Sequence, residues 1–144
     1  MSGPDAQAAR VDRARLRDQL RAAERRLARP SQHLVAAFDA YRASHGTQTD
    51  AVIKNLKKLR HTAAQEVKTL KRLEVSTAAG RHAKSLALRA LVLLEAGAAE
   101  NIIVFSHQGT TTGAHAAQRA TRHVRHALRL ERSTGRLLHF HWQA

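Results

Sequence analysis

The chain has 144 residues, enough for one domain, and carries a formal net charge of +14 from 25 Lys and Arg against 11 Asp and Glu, with ten His besides. The absence of Cys excludes disulfides, thiolate nucleophiles and Cys-ligated zinc, and two Pro, seven Gly and few β-branched residues exclude a β-sandwich or β-barrel. The core must be thin: 28 residues are Ala, and Leu, Ile, Val and Phe together number 31, just above the ~20% below which a highly charged chain reads as disordered.

Pro30 and the glycines at 46, 80, 97, 113 and 135 punctuate segments that mostly read as helix. Residues 4–29 form the first, rich in Arg and ended by Pro30. Its apolar stripe (Ala9, Leu16, Leu20, Ala23, Leu27) is only about 60° wide, with the alternating four–three spacing of a coiled-coil seam. So narrow a stripe suits one neighbour, and a second copy of the chain is the expected one; the alternative is an Arg-rich arm packed loosely on its own bundle or unfolded until it meets nucleic acid. A second helix starts at Ser31, a good N-cap after Pro30, and runs to about Ser44 with Leu34, Phe38 and Tyr41 on one side. The third, from about Thr49 to Ser76, is the longest periodic run. A fourth over residues 81–96 is apolar nearly all round (Leu86, Leu88, Leu91, Val92, Leu93, Leu94) and is expected at the centre. Residues 101–107, with Ile102, Ile103, Val104 and Phe105, fit a strand or more helix, and we read helix. QGTTTG at 108–113 is a loop with Thr as N-cap, and a last helix follows to about Arg132. Residues 136–142 alternate, with Leu138, Phe140 and Trp142 on one side, as a short extended strap would.

The expected fold is therefore all-α: a small bundle of about five helices, with an Arg-rich N-terminal helix and a short extended C-terminal tail. Residues 1–30 read as an arm or pairing helix, and residues 31–144 as the bundle domain. Asp5, Asp12 and several Arg precede any apolar run, so no secretory signal is read. Lys84, Arg89, Glu95 and Glu100 interrupt the most apolar region, so no membrane span is expected. The expected location is the cytoplasm or a virion interior.

Two helices carry one-signed faces. On the third, laid out at 100° per residue, Lys54, Lys57, Lys58, His61, Gln65, Lys68 and Arg72 fall within about 60° of one meridian. Val52, Leu56, Leu59, Ala63, Val67 and Leu70 fall opposite. The cationic face contains no acid, although Glu–Lys pairs at i,i+4 stabilise a helix and like charges at that spacing cost a few tenths of a kcal/mol. The last helix repeats the design with Arg119, Arg122, Arg125, His126, Arg129 and Arg132, and its Ala116, Ala117, Ala120, Val124, Ala127 and Leu128 face the other way; only Glu131 intrudes. Such faces suit a polyanion, because neutralising phosphates releases condensed counterions.

Other chemistries are less well served. His123, His126, His139 and His141 could surround a metal only if the tail folds back, and no acid or Cys completes a familiar site. The His are read instead as positive charge that fills as pH falls. Residues 59–64 (LRHTAA) resemble a short stretch of tyrosine recombinases, but Lys57 stands where that motif has His, and Tyr41, the only Tyr, lies upstream. No Walker loop, Glu-x-x-His pair or Gly-x-Ser-x-Gly elbow occurs. The turn around Gly46 would allow a helix-turn-helix presenting Lys54, Lys57, Lys58 and His61. Five aromatic residues, none within the cationic stripes, are too few for single-strand stacking platforms.

The expected function is thus non-catalytic binding of nucleic acid, double-stranded and with low sequence specificity, through Lys54, Lys57, Lys58, Lys68, Arg72, Arg119, Arg122, Arg125 and Arg129. No metal or cofactor is expected, and a homo-oligomer through the N-terminal helix is. The competing class is a structural or assembly subunit, such as a virion component, whose basic faces meet acidic partners or packaged genome.

Overall fold

A computed structural model describes residues 3–138, and every element among them is helical. Four helices follow one another: α1 (Gly3–Ala43), α2 (Asp50–Arg72), α3 (Ala78–Ser106) and α4 (Thr111–Leu138). The all-α bundle is as expected, but four helices stand where about five were expected.

The difference begins at Pro30, which lies inside α1 instead of ending it. Pro removes one backbone donor and crowds the carbonyl four residues back, at a cost of about 3 kcal/mol in a helix interior. Here burial outweighs that cost. Leu27 and Leu34 are one heptad apart, so the seam of the first segment and the apolar side of the second stay in phase across the proline. Both leucines pack into the same cluster with Leu59, Ala63 and Leu91. Ser31, read as an N-cap, donates its hydroxyl to the Leu27 carbonyl instead (2.8 Å), the back-bond of a mid-helix serine.

The leucine seam is covered by its own chain, and by two helices where one neighbour was expected. Leu16 and Leu20 are fully buried against Val67, Leu70, Ala83 and Ala87 of α2 and α3. A second copy cannot use a seam already covered, so no oligomer is derived from it. The Arg-rich segment is accordingly the first part of a 41-residue helix packed on the bundle. Around Gly46, α1 and α2 lie antiparallel along their length, as Arg26–Glu66 and the Ala37–Val52–Leu56 cluster show, which is a helical hairpin and not a helix-turn-helix. Gly46 takes φ +82° under the Tyr41 ring, a conformation open to glycine at little cost.

Residues 101–107 prove helical up to Ser106 and continue α3, whose buried line is small apart from Leu91: Gly80, Ala83, Ala87, Ala90, Gly97 and Ala98. α4 answers with Gly113, Ala116 and Ala120, so these two backbones approach closely. α3 is central as expected and packs against all three other helices. Its large side chains are less enclosed than expected, however, and Val92 is 45% exposed. α2 ends four residues earlier than expected, at Arg72, because Leu73 turns extended and residues 73–77 lead the chain back into α3. Gly135 does not end the last helix, and residues 136–138 of the expected strap belong to α4. Residues 139–142 of that strap lie outside the described residues.

Polar groups fix the register. Glu66 is 3% exposed and takes a two-pronged ion pair from Arg26, one prong at 2.9 Å from Nη2 to Oε2. Arg26→Ala is expected to cost about 2 kcal/mol, because a buried carboxylate loses its counter-charge. Glu66→Gln, which removes the charge but keeps the shape, is expected to cost about half as much. Urea unfolding checks both; equal costs, or an Arg26→Ala cost below about 0.5 kcal/mol, would contradict the assignment.

Candidate nucleic-acid interface

The α2 face is built as its periodicity predicts. Val52, Leu56, Leu59, Ala63, Val67 and Leu70 are all buried, which forces the opposite side outward. Lys54, Lys57, Lys58, Lys68 and Arg72 are exposed, and none takes part in an ion pair among the described residues. Five cations on one face with no acidic partner repel one another, and an external anion relieves that repulsion.

The α4 face is narrower than expected. Arg119 turns toward α3 and donates from Nε to Glu100 Oε2 at 2.9 Å, so its charge is spent on helix packing. Arg122, Arg125 and Arg129 remain exposed and, with His126, line an open trough of about 490 Å³. Val124 and Leu128, placed on the inward face by periodicity, are 50% and 46% exposed. The reason is coverage: α4 packs on α3 and touches α1 slightly, while an apolar groove of about 190 Å³ lies between Val124 and Leu128 and the Leu56 and Leu59 of α2, so the edge of its apolar stripe stays open. Glu131 sits on that edge. Burial first, and the nearby Glu24 second, push its carboxyl above the usual carboxylate range.

No match arises from comparison with protein-family models, curated proteins or solved structures. What the faces can do is therefore decided by their own chemistry.

The two stripes do not merge. No Cα of α2 lies within 8 Å of one of α4, although Leu56 and Leu59 share an apolar groove with Val124, Leu128 and Glu131. Thr110 serves the loop before α4 as an N-cap, as expected: its hydroxyl accepts from Gly113 N at 3.1 Å. His123 and His126 find no third ligand, since no cluster of three or more metal-ligating side chains forms among the described residues; His139 and His141 lie outside them. No described helix is long and apolar enough to cross a membrane.

Sequence reading missed a third cationic cluster. Arg15 from α1, Lys71 and Arg72 from the end of α2, and Arg81 and Lys84 from the start of α3 converge on one pocket. Arg15 is remote in sequence from the other four, and the five belong to no single helical stripe. Only the antiparallel packing of three helices brings them together.

Proposed function

We propose that the protein binds nucleic acid without catalysis, gripping phosphates of a duplex through the exposed faces of α2 and α4, with little regard to base sequence. The α2 face carries the proposal: five exposed cations, no acid among them, opposite an apolar face that is wholly buried. Lys and Arg in such a row position a backbone but read no base edges, which is why low specificity follows. Two separate exposed stripes, on α2 and α4, give a molecule more than one surface for phosphates, as suits packaging or a nucleoid-type role.

A gel shift on duplex DNA, duplex RNA and single strands, at 50 and 200 mM salt, tests this. Duplex is expected to be retained at the lower salt, and native-like and scrambled sequences to bind within about tenfold of each other. Retention of an acidic protein partner with no retention of nucleic acid at 50 mM would favour the assembly-subunit reading instead.

A further inference from the structure

The pocket between α1, the end of α2 and the start of α3 has a volume of about 550 Å³ and is lined by Arg15, Lys71, Arg72, Arg81 and Lys84, with Glu74 the one acid among its walls. The cations that reach in from α1 and α3 are held by backbone carbonyls, which orient them but do not neutralise them. Lys84 Nζ donates to Lys71 O (2.8 Å) and Leu73 O (2.7 Å), Arg81 Nη1 to Ser76 O (3.2 Å), and Arg15 Nη1 to Glu74 O (3.5 Å). Capping the end of α2 needs one such cation, and Lys84 alone reaches two of its carbonyls. The guanidinium forks of Arg15 and Arg81 keep most of their five donors, and Lys71 and Arg72 stand exposed beside them.

The frame around these charges is rigid. Asp12, 1% exposed, accepts from Ser76 N at 3.0 Å and from Thr77 N at 2.8 Å, so the loop forming one wall is tied to α1. A preformed, multiply cationic concavity fits a dianionic group better than a monoanionic one. A phosphomonoester carries about −1.5 to −2 charges near neutrality, and an internal phosphodiester one. Leu73, Val75 and Leu88 supply an apolar wall for the nucleoside, and the volume lies within the range of small-ligand sites. The pocket also continues the α2 face. Arg72 belongs to both, with Lys68 one turn before it.

We propose that this pocket binds the phosphomonoester of a nucleotide, supplied by the phosphorylated end of a nucleic-acid strand lying along α2. The strand as source rests on the function proposed above; the phosphomonoester itself does not. Duplexes of one sequence, with 5′-phosphate or 5′-hydroxyl ends, would be compared by fluorescence anisotropy. Adenosine monophosphate would be titrated separately while the backbone amide shifts of residues 71–88 are followed by NMR.

The 144-residue chain is expected to bind the phosphorylated duplex about tenfold more tightly, the worth of one good charge-assisted contact. Arg15→Gln with Arg81→Gln is expected to erase that preference while leaving 5′-hydroxyl binding within about threefold. Should this pair unfold the protein, Arg15→Gln with Lys71→Gln replaces it, since both residues are exposed and neither belongs to the α2 face. Equal affinity for the two ends, or a preference that survives both pairs of substitutions, would overturn the proposal. Amide shifts with adenosine monophosphate but no binding of either duplex would keep the phosphomonoester site and overturn the strand as its source. No shifts and no end preference would overturn the site itself.

Discussion

Asp12→Ala is expected to lower stability by about 3 kcal/mol, or roughly 10 °C in Tm for a chain of this size. The Asp12 carboxylate is buried and accepts from two backbone amides, Ser76 N and Thr77 N, and from the Thr77 hydroxyl. Hydrogen bonds to a charged group are worth about 1.5–3 kcal/mol each, and water at the exposed Ser76 would recover part of the loss. Gly80 makes the same junction tight from the other side: a Cβ there would overlap the Asp12 carboxylate. Gly80→Ala alone is therefore expected to cost about 2 kcal/mol by overpacking. Combined with Asp12→Ala it should cost less than the sum, because the obstructing group has gone. Strict additivity in calorimetry would contradict a direct contact.

This junction also has a pH signature. Burial alone would raise the Asp12 carboxyl, but the hydrogen bonds from Thr77 and Ser76 together outweigh it and hold the group below its ordinary value of 3.8. A carboxyl depressed in the folded state stabilises the protein above its unfolded value, and that contribution is lost as pH falls through the folded one. The gap in Tm between wild type and Asp12→Ala should thus be constant from about pH 7 to 5 and shrink below about pH 4. A gap that widens in acid would contradict the sign.

The largest functional effect is expected from the faces of α2 and α4. Lys54, Lys58 and Lys68 changed together to Gln, or Arg122, Arg125 and Arg129 likewise, should leave stability within about 0.5 kcal/mol, as exposed substitutions do. Each set removes up to three phosphate contacts. Near 0.1 M salt that corresponds to an affinity loss on the order of a hundred-fold on every duplex sequence, with a flatter salt dependence. Arg119 is left out because Glu100 already holds it. Arg10, Arg13 and Arg17 changed to Gln provide the comparison at equal charge change. If that set abolishes binding while the α2 and α4 sets bind normally, the interface lies on α1.

How far the sequence could carry these conclusions differs by element. The faces of α2 were legible along its length, since one period of 3.6 governs both its buried and its cationic side, but its end at Arg72 was not. The α1 seam was legible as a stripe for one partner, but no local signal says whether that partner is the same chain. Pro30 was misread because a local rule was set against a tertiary one; the in-phase spacing of Leu27 and Leu34 was the signal that favoured one helix. On α4, periodicity orders the faces but cannot say how many neighbours cover them, which is why Val124 and Leu128 stay half exposed. Arg119 left its stripe for the same kind of reason, a partner on another helix. Asp12 with Gly80, and the five-cation pocket, depend on contacts between helices far apart in the chain. No helical wheel shows these.

The central claim is that phosphates are the ligand, and the salt dependence of duplex binding tests it most directly. Anisotropy titrations of wild type with one DNA duplex between 50 and 200 mM monovalent salt should give a linear fall of log affinity with log salt. Four to six phosphate contacts predict a slope of about −4 to −5. A slope near zero, or no binding at 50 mM, would contradict it.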